Sequence, residues 1–389
     1  MDYYLSEELE MIRDLARKIA TEMIAPRAAE LDEKEEFPWE IINILKESDF
    51  MGVYLPEEYG GLGGGILELS VVVEELSRAC GGVAVSYAAN ALGSFPILLF
   101  GTEEQKKKYL PDVASGEKLA AFALTESEAG SDAGNVKTTA KKDGDFYVLN
   151  GRKQWITNGG EADVYTVIAS VKPNKGARGL SAFIVEKDTP GFSFGKKEKK
   201  MGIRCSSTRE LIFEDCRIPA ENLLGLESRG FMVAMKTLDM ARPGVAAQAI
   251  GIAQGALDHA IAFGMERVQF GHAITTYQAI KHKIAECSTR IEAARALTYA
   301  TAKMIDKNEK NYSKESAMCK LFASDTAMFV TTEAIQIYGG HGYMREYPVE
   351  KYFRDAKITQ IYEGTNEIQK NVIANEALRE ARKNRKKTN

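Results

Sequence analysis

The chain is short of several features that would narrow its function at once. Its 389 residues include five cysteines, Cys80, Cys205, Cys216, Cys287 and Cys319, with no CxxC pair. An odd, dispersed set argues against a disulfide framework and for reduced thiols in a reducing compartment. The four histidines, His259, His272, His282 and His341, show no ligand spacing with cysteine or carboxylate, so no metal site is expected. Charge of one sign is missing too: with 51 basic and 55 acidic residues the net charge is −4, which gives no electrostatic reason to expect nucleic acid. No internal repeat or low-complexity segment stands out. No secretory leader is visible, since the first residues, Met-Asp-Tyr-Tyr-Leu-Ser-Glu-Glu, are acidic and open an amphipathic helix. Residues 81–102 carry no charge, but Asn90, Pro96, two serines and several glycines interrupt them. They lack the continuous apolar character of a membrane span, and a buried helix of a large core is expected instead. What remains is an ordinary soluble globular composition, 44% hydrophobic and 27% charged, expected in the cytoplasm without membrane insertion.

The length allows two or three domains. Residues 1 to about 120 read as helical, with Leu5, Leu9, Ile12, Leu15, Ala16 and Ile19 recurring at helical spacing. Glycines at 60–65 and Gly81-Gly82 break later helices, and Pro111 is expected to end a lysine-rich one. From 121 to 232 short β-branched and aromatic runs appear, such as Phe146-Tyr-Val-Leu149 after Asp143-Gly144, and Val164-Tyr-Thr-Val-Ile168. Asn150-Gly151 reads as a hairpin-type turn. Strands of this length without long helices between them predict a small β-barrel or sandwich. From 233 to 389 long periodic stretches at 233–265, 277–308 and 315–338 predict an antiparallel helical bundle. The basic tail, 379–389, is expected to be frayed and solvated. The expected class is mainly α with a β domain.

Four segments carry candidate chemistry. In Phe122-Ala-Leu-Thr-Glu-Ser-Glu-Ala-Gly-Ser-Asp132, the small residues Gly130 and Ser131 expose backbone N–H groups that can cradle an anionic ring edge or a phosphate. In Trp155-Ile156-Thr157-Asn-Gly-Gly160, an indole and a hydroxyl two positions apart share one face of a strand and can stack beside a flat ring while bonding its edge. Leu238-Asp-Met-Ala-Arg-Pro243 is followed by Glu266-Arg-Val-Gln-Phe-Gly271, where Arg267 is suited to a pyrophosphate. Gln336-Ile-Tyr-Gly-Gly-His-Gly-Tyr343 lets a backbone approach a ligand closely. It is followed by Pro348, Arg354-Asp355 and the turn Ile361-Tyr-Glu-Gly-Thr-Asn366, in which Glu363 is a potential base.

In this order and spacing the four segments resemble the acyl-CoA dehydrogenase family over nearly the whole chain, most of all its bacterial short-chain, butyryl-CoA branch. The resemblance implies an N-terminal helical domain (1–120), a central β-barrel (121–232) and a C-terminal four-helix bundle carrying the catalytic turn (233–389). It implies a homotetramer, a dimer of dimers, with FAD bound across a subunit boundary. Phe122, Leu124, Thr125, Gly130 and Ser131 would line the flavin, with Trp155, Ile156 and Thr157 covering the ring. Arg267, Gln269, Phe270 and Gln278 would reach the phosphates and adenosine from the neighbouring subunit. Gln336, Gly339 and Gly340 would hold the other end of that cofactor, and Thr365 and Asn366 would touch it after the turn. Ser131, Asp239, Arg242 and Gly364 would contact acyl-CoA. Glu363 would abstract the α-proton while a flavin ribityl hydroxyl and its own backbone N–H polarise the thioester carbonyl. The β-hydride would pass to flavin N5, and the electrons onward to electron-transfer flavoprotein.

Some branches of the family carry the base immediately before the arginine matching Arg242. Here Ala241 stands there, leaving Glu363 as the single base. Two departures are local. Thr-Glu-Ser replaces the usual Thr-Glu-Pro at Ser127, and Met240-Ala241 replaces a usual Gly-Gly, which would reshape the acyl pocket. Tyr87, Asn90 and Phe95, on the uncharged helix, are candidates to limit chain length. An acyl-CoA oxidase admitting oxygen, and a non-catalytic flavin-binding scaffold, are the competing readings.

Overall fold

The computed structural model describes residues 5–388, so the first four residues of the acidic N-terminal reading and Asn389 of the basic tail lie outside it. The N-terminal helices are α1 (Glu7–Ile19), α2 (Ala28–Lys34), α3 (Trp39–Glu47), α4 (Ile66–Ala79), α5 (Gly81–Phe100) and α6 (Glu103–Ser115). Ser6 starts α1 by accepting the Leu9 N–H at 3.2 Å. Leu9, Ala16 and Ile19 enter the core as the spacing predicts, but Leu15 stays on the outer side. Pro111 does not end its helix. It sits inside α6, which runs from the Thr102–Gln105 capping box to a left-handed Gly116. The missing N–H and ring clash are local costs, offset by these caps and by burial of Tyr109, Leu110 and Val113.

The middle of the chain forms strands β1 (Ala120–Ala123), β2 (Thr139–Asp143), β3 (Phe146–Thr157), β4 (Val164–Ser170), β5 (Leu180–Glu186), β6 (Phe192–Lys197), β7 (Thr208–Pro219) and β8 (Leu223–Leu224). They make one continuous sheet in the order β6-β7-β3-β2-β4-β5-β8, with β1 parallel to β4. The hairpin turn falls at Gly144-Asp145, because Asp143 pairs with Phe146. Asn150-Gly151 is therefore not a turn. It is an irregularity within β3 opposite β7. Gly151, at φ +143°, is needed because a Cβ there would come within 2.7 Å of the Thr138 backbone. The Asn150 amide bridges to Asp215 across the bulge, at 2.8 and 3.1 Å.

The C-terminal region contains α7 (Gly230–Glu266), a small ribbon of β9 (Val268–Gln269) and β10 (His272–Ala273), α8 (Gln278–Asp306), α9 (Ser313–Tyr338), α10 (Val349–Lys357) and α11 (Asn366–Thr388). The long α7 is the hub, packed against α4, α5, α8 and α9. Its interior Pro243 cannot donate to the carbonyl of Asp239. The buried Ser316 hydroxyl of α9 donates to that carbonyl instead, at 2.7 Å. Arg354 and Asp355 are structural: Arg354 pairs with Asp32 at 2.7 Å, and Asp355 accepts from the Ile203 N–H and from Lys351. Residues 379–388 of the basic tail continue α11 as helix rather than fraying, with 379–385 exposed. Among the described residues α5 is the one helix long and apolar enough to cross a membrane, and 72% of its apolar window is buried inside the fold.

Candidate active site

A cavity of about 460 Å³ lies where α5, α7, the β1–β2 connection, the end of β3 and the turn before α11 meet. One wall is the α5 face Val85, Ala88, Ala89, Leu92 and Phe95, spaced three or four residues apart as helix geometry requires. Phe95 is thus a lining residue, whereas Tyr87 and Asn90 are not. The Tyr87 hydroxyl donates to the Phe50 carbonyl at 2.8 Å, and the Asn90 carbonyl oxygen accepts the Ala120 N–H at 2.7 Å. Both are buried polar side chains spent on the backbone. On α7, Phe231, Met235, Leu238, Ala241, Arg242 and Val245 complete the wall. Met240 does not line it, so of the two substituted positions only Ala241 shapes the pocket.

Glu363 sits on the turn between α10 and α11 in a left-handed conformation, φ +52°, followed by Gly364 at φ +93°. The residue is half-buried, yet its Oε2 is out of contact with solvent and has no hydrogen-bond partner. Burial pushes its carboxyl up to about 7, against the opposing pull of Arg242 and Lys320. A carboxylate in that range is half-ionised at neutral pH and suited to take a proton. The turn is held through its carbonyls. The Gln369 amide donates to Glu363 O at 3.2 Å and to Gly364 O at 2.9 Å, and Lys320 Nζ donates to Gly364 O at 2.9 Å. The Arg242 guanidinium is steered toward the turn by Asp239, whose Oδ1 accepts from Nη1 at 2.8 Å. Asp239 also accepts from the Ser313 hydroxyl, so its carboxylate is used internally and does not line the cavity.

Phe122, Leu124, Thr125, Gly130, Ser131, Trp155, Ile156 and Thr157 all reach this cavity, together with Arg242, Glu363 and Gly364. A register shift between Lys153 and Ile156 in β3 leaves Trp155 at φ +58° and exposed, aimed along the cavity wall. The loop after β1 is pinned to β3 by the Thr125 carbonyl, which accepts the Gln154 N–H at 2.8 Å. A buried ion pair pins it further: Lys153 Nζ donates to Glu126 at 2.6 Å and to the Leu124 carbonyl at 3.0 Å. Glu126 also accepts the Lys137 and Thr138 N–H groups. Burial raises the Glu126 carboxyl, but Lys153 and these donors outweigh it and hold it below the ordinary value. Burial presses Lys153 down to about 8 despite Glu126. Ser127, in the proline's usual place, therefore follows a residue whose carboxylate is anchored by three donors.

Arg267, Gln269, Phe270, Gly339 and Gly340 line a separate groove of about 350 Å³, with Tyr338 and His341. Gln278 and Gln336 are exposed and do not line it. Thr365 and Asn366 face a third depression, but the Asn366 side chain is buried and engaged by Lys320, Ser324 and Asp325. Residue reading missed Lys153, Lys320, Gln369 and the Gln248–Tyr362 pair at the cavity floor. A signal existed for two of them. Lys153 falls in the inward register of a strand, and Lys320 stands alone among small and apolar residues on α9.

The chain is also similar to known proteins along most of its length. The chain matches the acyl-CoA dehydrogenase N-terminal domain over residues 6–117, the middle domain over 121–216 and the C-terminal domain over 228–378. It is 51% identical to an acryloyl-CoA reductase (NADH) of Anaerotignum propionicum, covering 97% of this chain and 96% of that protein. Butyryl-CoA dehydrogenase of Megasphaera elsdenii superposes with a TM-score of 0.95 at 47% identity, covering 97% of this chain and all of that one. A chain from the structural work on the electron transferring flavoprotein of Acidaminococcus fermentans and flavin-based electron bifurcation also gives 0.95, at 50% identity and with coverage of 97% and 100%. With all three domains matched, the chain belongs to the acyl-CoA dehydrogenase family, whose members are FAD-dependent oxidoreductases acting on acyl-CoA.

Proposed function

We propose that Glu363 is the general base of an α,β-dehydrogenation of a short acyl-CoA thioester. The observation that carries this reading is the unpartnered, solvent-shielded carboxylate oxygen of Glu363 at an apolar cavity that also holds Arg242 and the Trp155 strand. The residues present fit FAD. Gly130 forms an open cradle, since a Cβ there would meet nothing within 4 Å, and Trp155 offers a flat apolar face beside the Thr157 hydroxyl. FAD, when bound, supplies the acceptor for the β-hydride.

The chain's own residues do the rest. Glu363 removes the α-proton, and the apolar walls from α5 and α7 exclude water and keep its carboxyl near neutrality. The rigid turn sets the Glu363 backbone N–H as one donor to the thioester carbonyl. Arg242 and Ser131 orient the thioester portion, while Asp239 acts by holding Arg242. The residues of the second groove, led by Arg267, contribute to the FAD of a neighbouring subunit in a homotetramer, and an electron-transfer flavoprotein takes up the electrons. The enzyme works in the cytoplasm.

The test is an anaerobic titration of the flavoprotein with linear, branched and cyclic acyl-CoAs. Bleaching of the oxidised flavin band by short linear thioesters is the expected outcome; no bleaching by any thioester would reject the reading. The 51% identity to an acryloyl-CoA reductase favours a second reading, reduction of a short 2-enoyl-CoA by the same residues with Glu363 returning the proton. Faster turnover with an enoyl-CoA and an electron donor than with the saturated thioester would select it.

A further inference from the structure

Lys320 is buried in α9, and its side chain runs to the turn that carries the base. Its ammonium donates to the Gly364 carbonyl at 2.9 Å and to the Asn366 side-chain oxygen at 3.0 Å. Asn366 is fixed in turn by Ser324 at 2.9 Å and Asp325 at 2.8 Å, so the turn is anchored to α9 at both ends of this short segment. A buried cation is costly unless its surroundings use it, and neither contact is to a carboxylate. The groups acting on Lys320 are Glu363 from the turn, Arg242 from α7, Asp325 from its own helix and Glu367 from α11. Those acting on Glu363 are Arg242 and Lys320. Arg242 is already paired with Asp239, which offsets part of its charge.

We infer that Lys320 is a positioning residue for the base: its ammonium clamps the left-handed Glu363-Gly364 turn from α9 and, beside Arg242, supplies a positive charge that favours the Glu363 carboxylate. Asn366 belongs to this clamp rather than to a cofactor contact. Burial brings the Lys320 ammonium down to about 8, so it is still charged at the pH where Glu363 ionises. The inference rests on Glu363 being the base, and it has a test that needs no turnover.

Three variants separate clamp from charge. Lys320→Gln keeps an N–H donor near Gly364 but loses the charge. Lys320→Met loses both, and Lys320→Arg keeps the charge. In the FAD-loaded enzyme, Lys320→Gln is expected to move the acid limb of kcat/KM upward by about one pH unit. Lys320→Met should move it equally and also lower kcat by on the order of tenfold, with Lys320→Arg returning the limb toward the wild-type position. An acid limb that stays in place in Lys320→Gln overturns the inference, and that variant carries the test if Lys320→Met does not fold. The second readout is thermal melting of Lys320→Gln, Glu363→Gln and the double variant. Glu363 is protonated in the folded state below about 7, so its attraction to Lys320 is absent at pH 5.5 and present at pH 7.5. The melting shifts should be additive at pH 5.5 and non-additive at pH 7.5. Additivity at both values overturns the charge role whatever the substrate proves to be. Wild-type flavin that no thioester bleaches removes the proposed function but leaves this comparison decisive for Lys320.

Discussion

At Glu363 two opposing effects meet on one carboxyl group. Burial disfavours the charged form, while Arg242 and Lys320 favour it, and burial wins to leave the group near 7. Only the ionised form accepts a proton, so kcat/KM should rise with pH through about 7 and level off above it. A pH profile of flavin reduction checks this; a flat profile from pH 5.5 to 8 would remove Glu363 as the titrating base. Glu363→Gln should lower the rate of flavin bleaching by at least ~100-fold while acyl-CoA still binds, and stopped-flow absorbance with a binding titration separates the two. The residue types in the turn were legible in sequence, as was the absence of a rival base at Ala241. The roles of Asp239 and Asn366 were not. Both side chains turn inward to other protein groups, a choice that depends on partners 74 and 42 positions away.

Elements depart from their sequence signals where packing supplies a compensation. Asn-Gly usually marks a hairpin, but here Gly151 lets β3 pass close to Thr138 and the strand continues. Gly151→Ala should cost about 1–3 kcal/mol through backbone strain and the clash, seen as a lower denaturation midpoint. Pro243 persists inside α7 because Ser316 satisfies the carbonyl that it strands. Ser316→Ala should therefore destabilise by about 1–3 kcal/mol, and because the freed carbonyl belongs to Asp239, it should also weaken acyl-CoA binding. The Lys153–Glu126 pair joins β3 to the loop after β1, proposed to line the flavin, with side chains 0% and 5% exposed. Removing one buried partner typically costs about 3–5 kcal/mol, so Lys153→Met should lower both stability and retained FAD, measured by flavin absorbance after gel filtration. The order of helices and strands was readable because periodicity of 3.6 or 2 is local. The exceptions were not, because the compensating groups lie elsewhere in the chain.

Across the whole molecule, most residues expected to hold FAD divide between the main cavity and the separate groove of Arg267, Gln269, Phe270, Gly339 and Gly340, while Gln278 and Gln336 line neither and Thr365 and Asn366 face a third depression. Phe270 is 93% exposed there, at φ +52°, on the ribbon after α7. That division is expected of a cofactor shared between subunits. Arg267→Ala should weaken FAD retention on the order of tenfold by removing a charged hydrogen bond, with little change in the monomer's secondary structure. Equilibrium dialysis of FAD with circular dichroism checks it, and unchanged retention would place the phosphates elsewhere. The sequence by itself determined the helix–strand–helix order and the family, and it named Glu363 as the candidate base, because local periodicity and short motifs encode these directly. Only the tertiary structure decided the pH range of that base, the reach of each wall residue and the use of Lys153, Lys320, Asp239 and Asn366 as internal supports. Burial and partner distance are properties of the packed chain, and no run of neighbouring residues contains them.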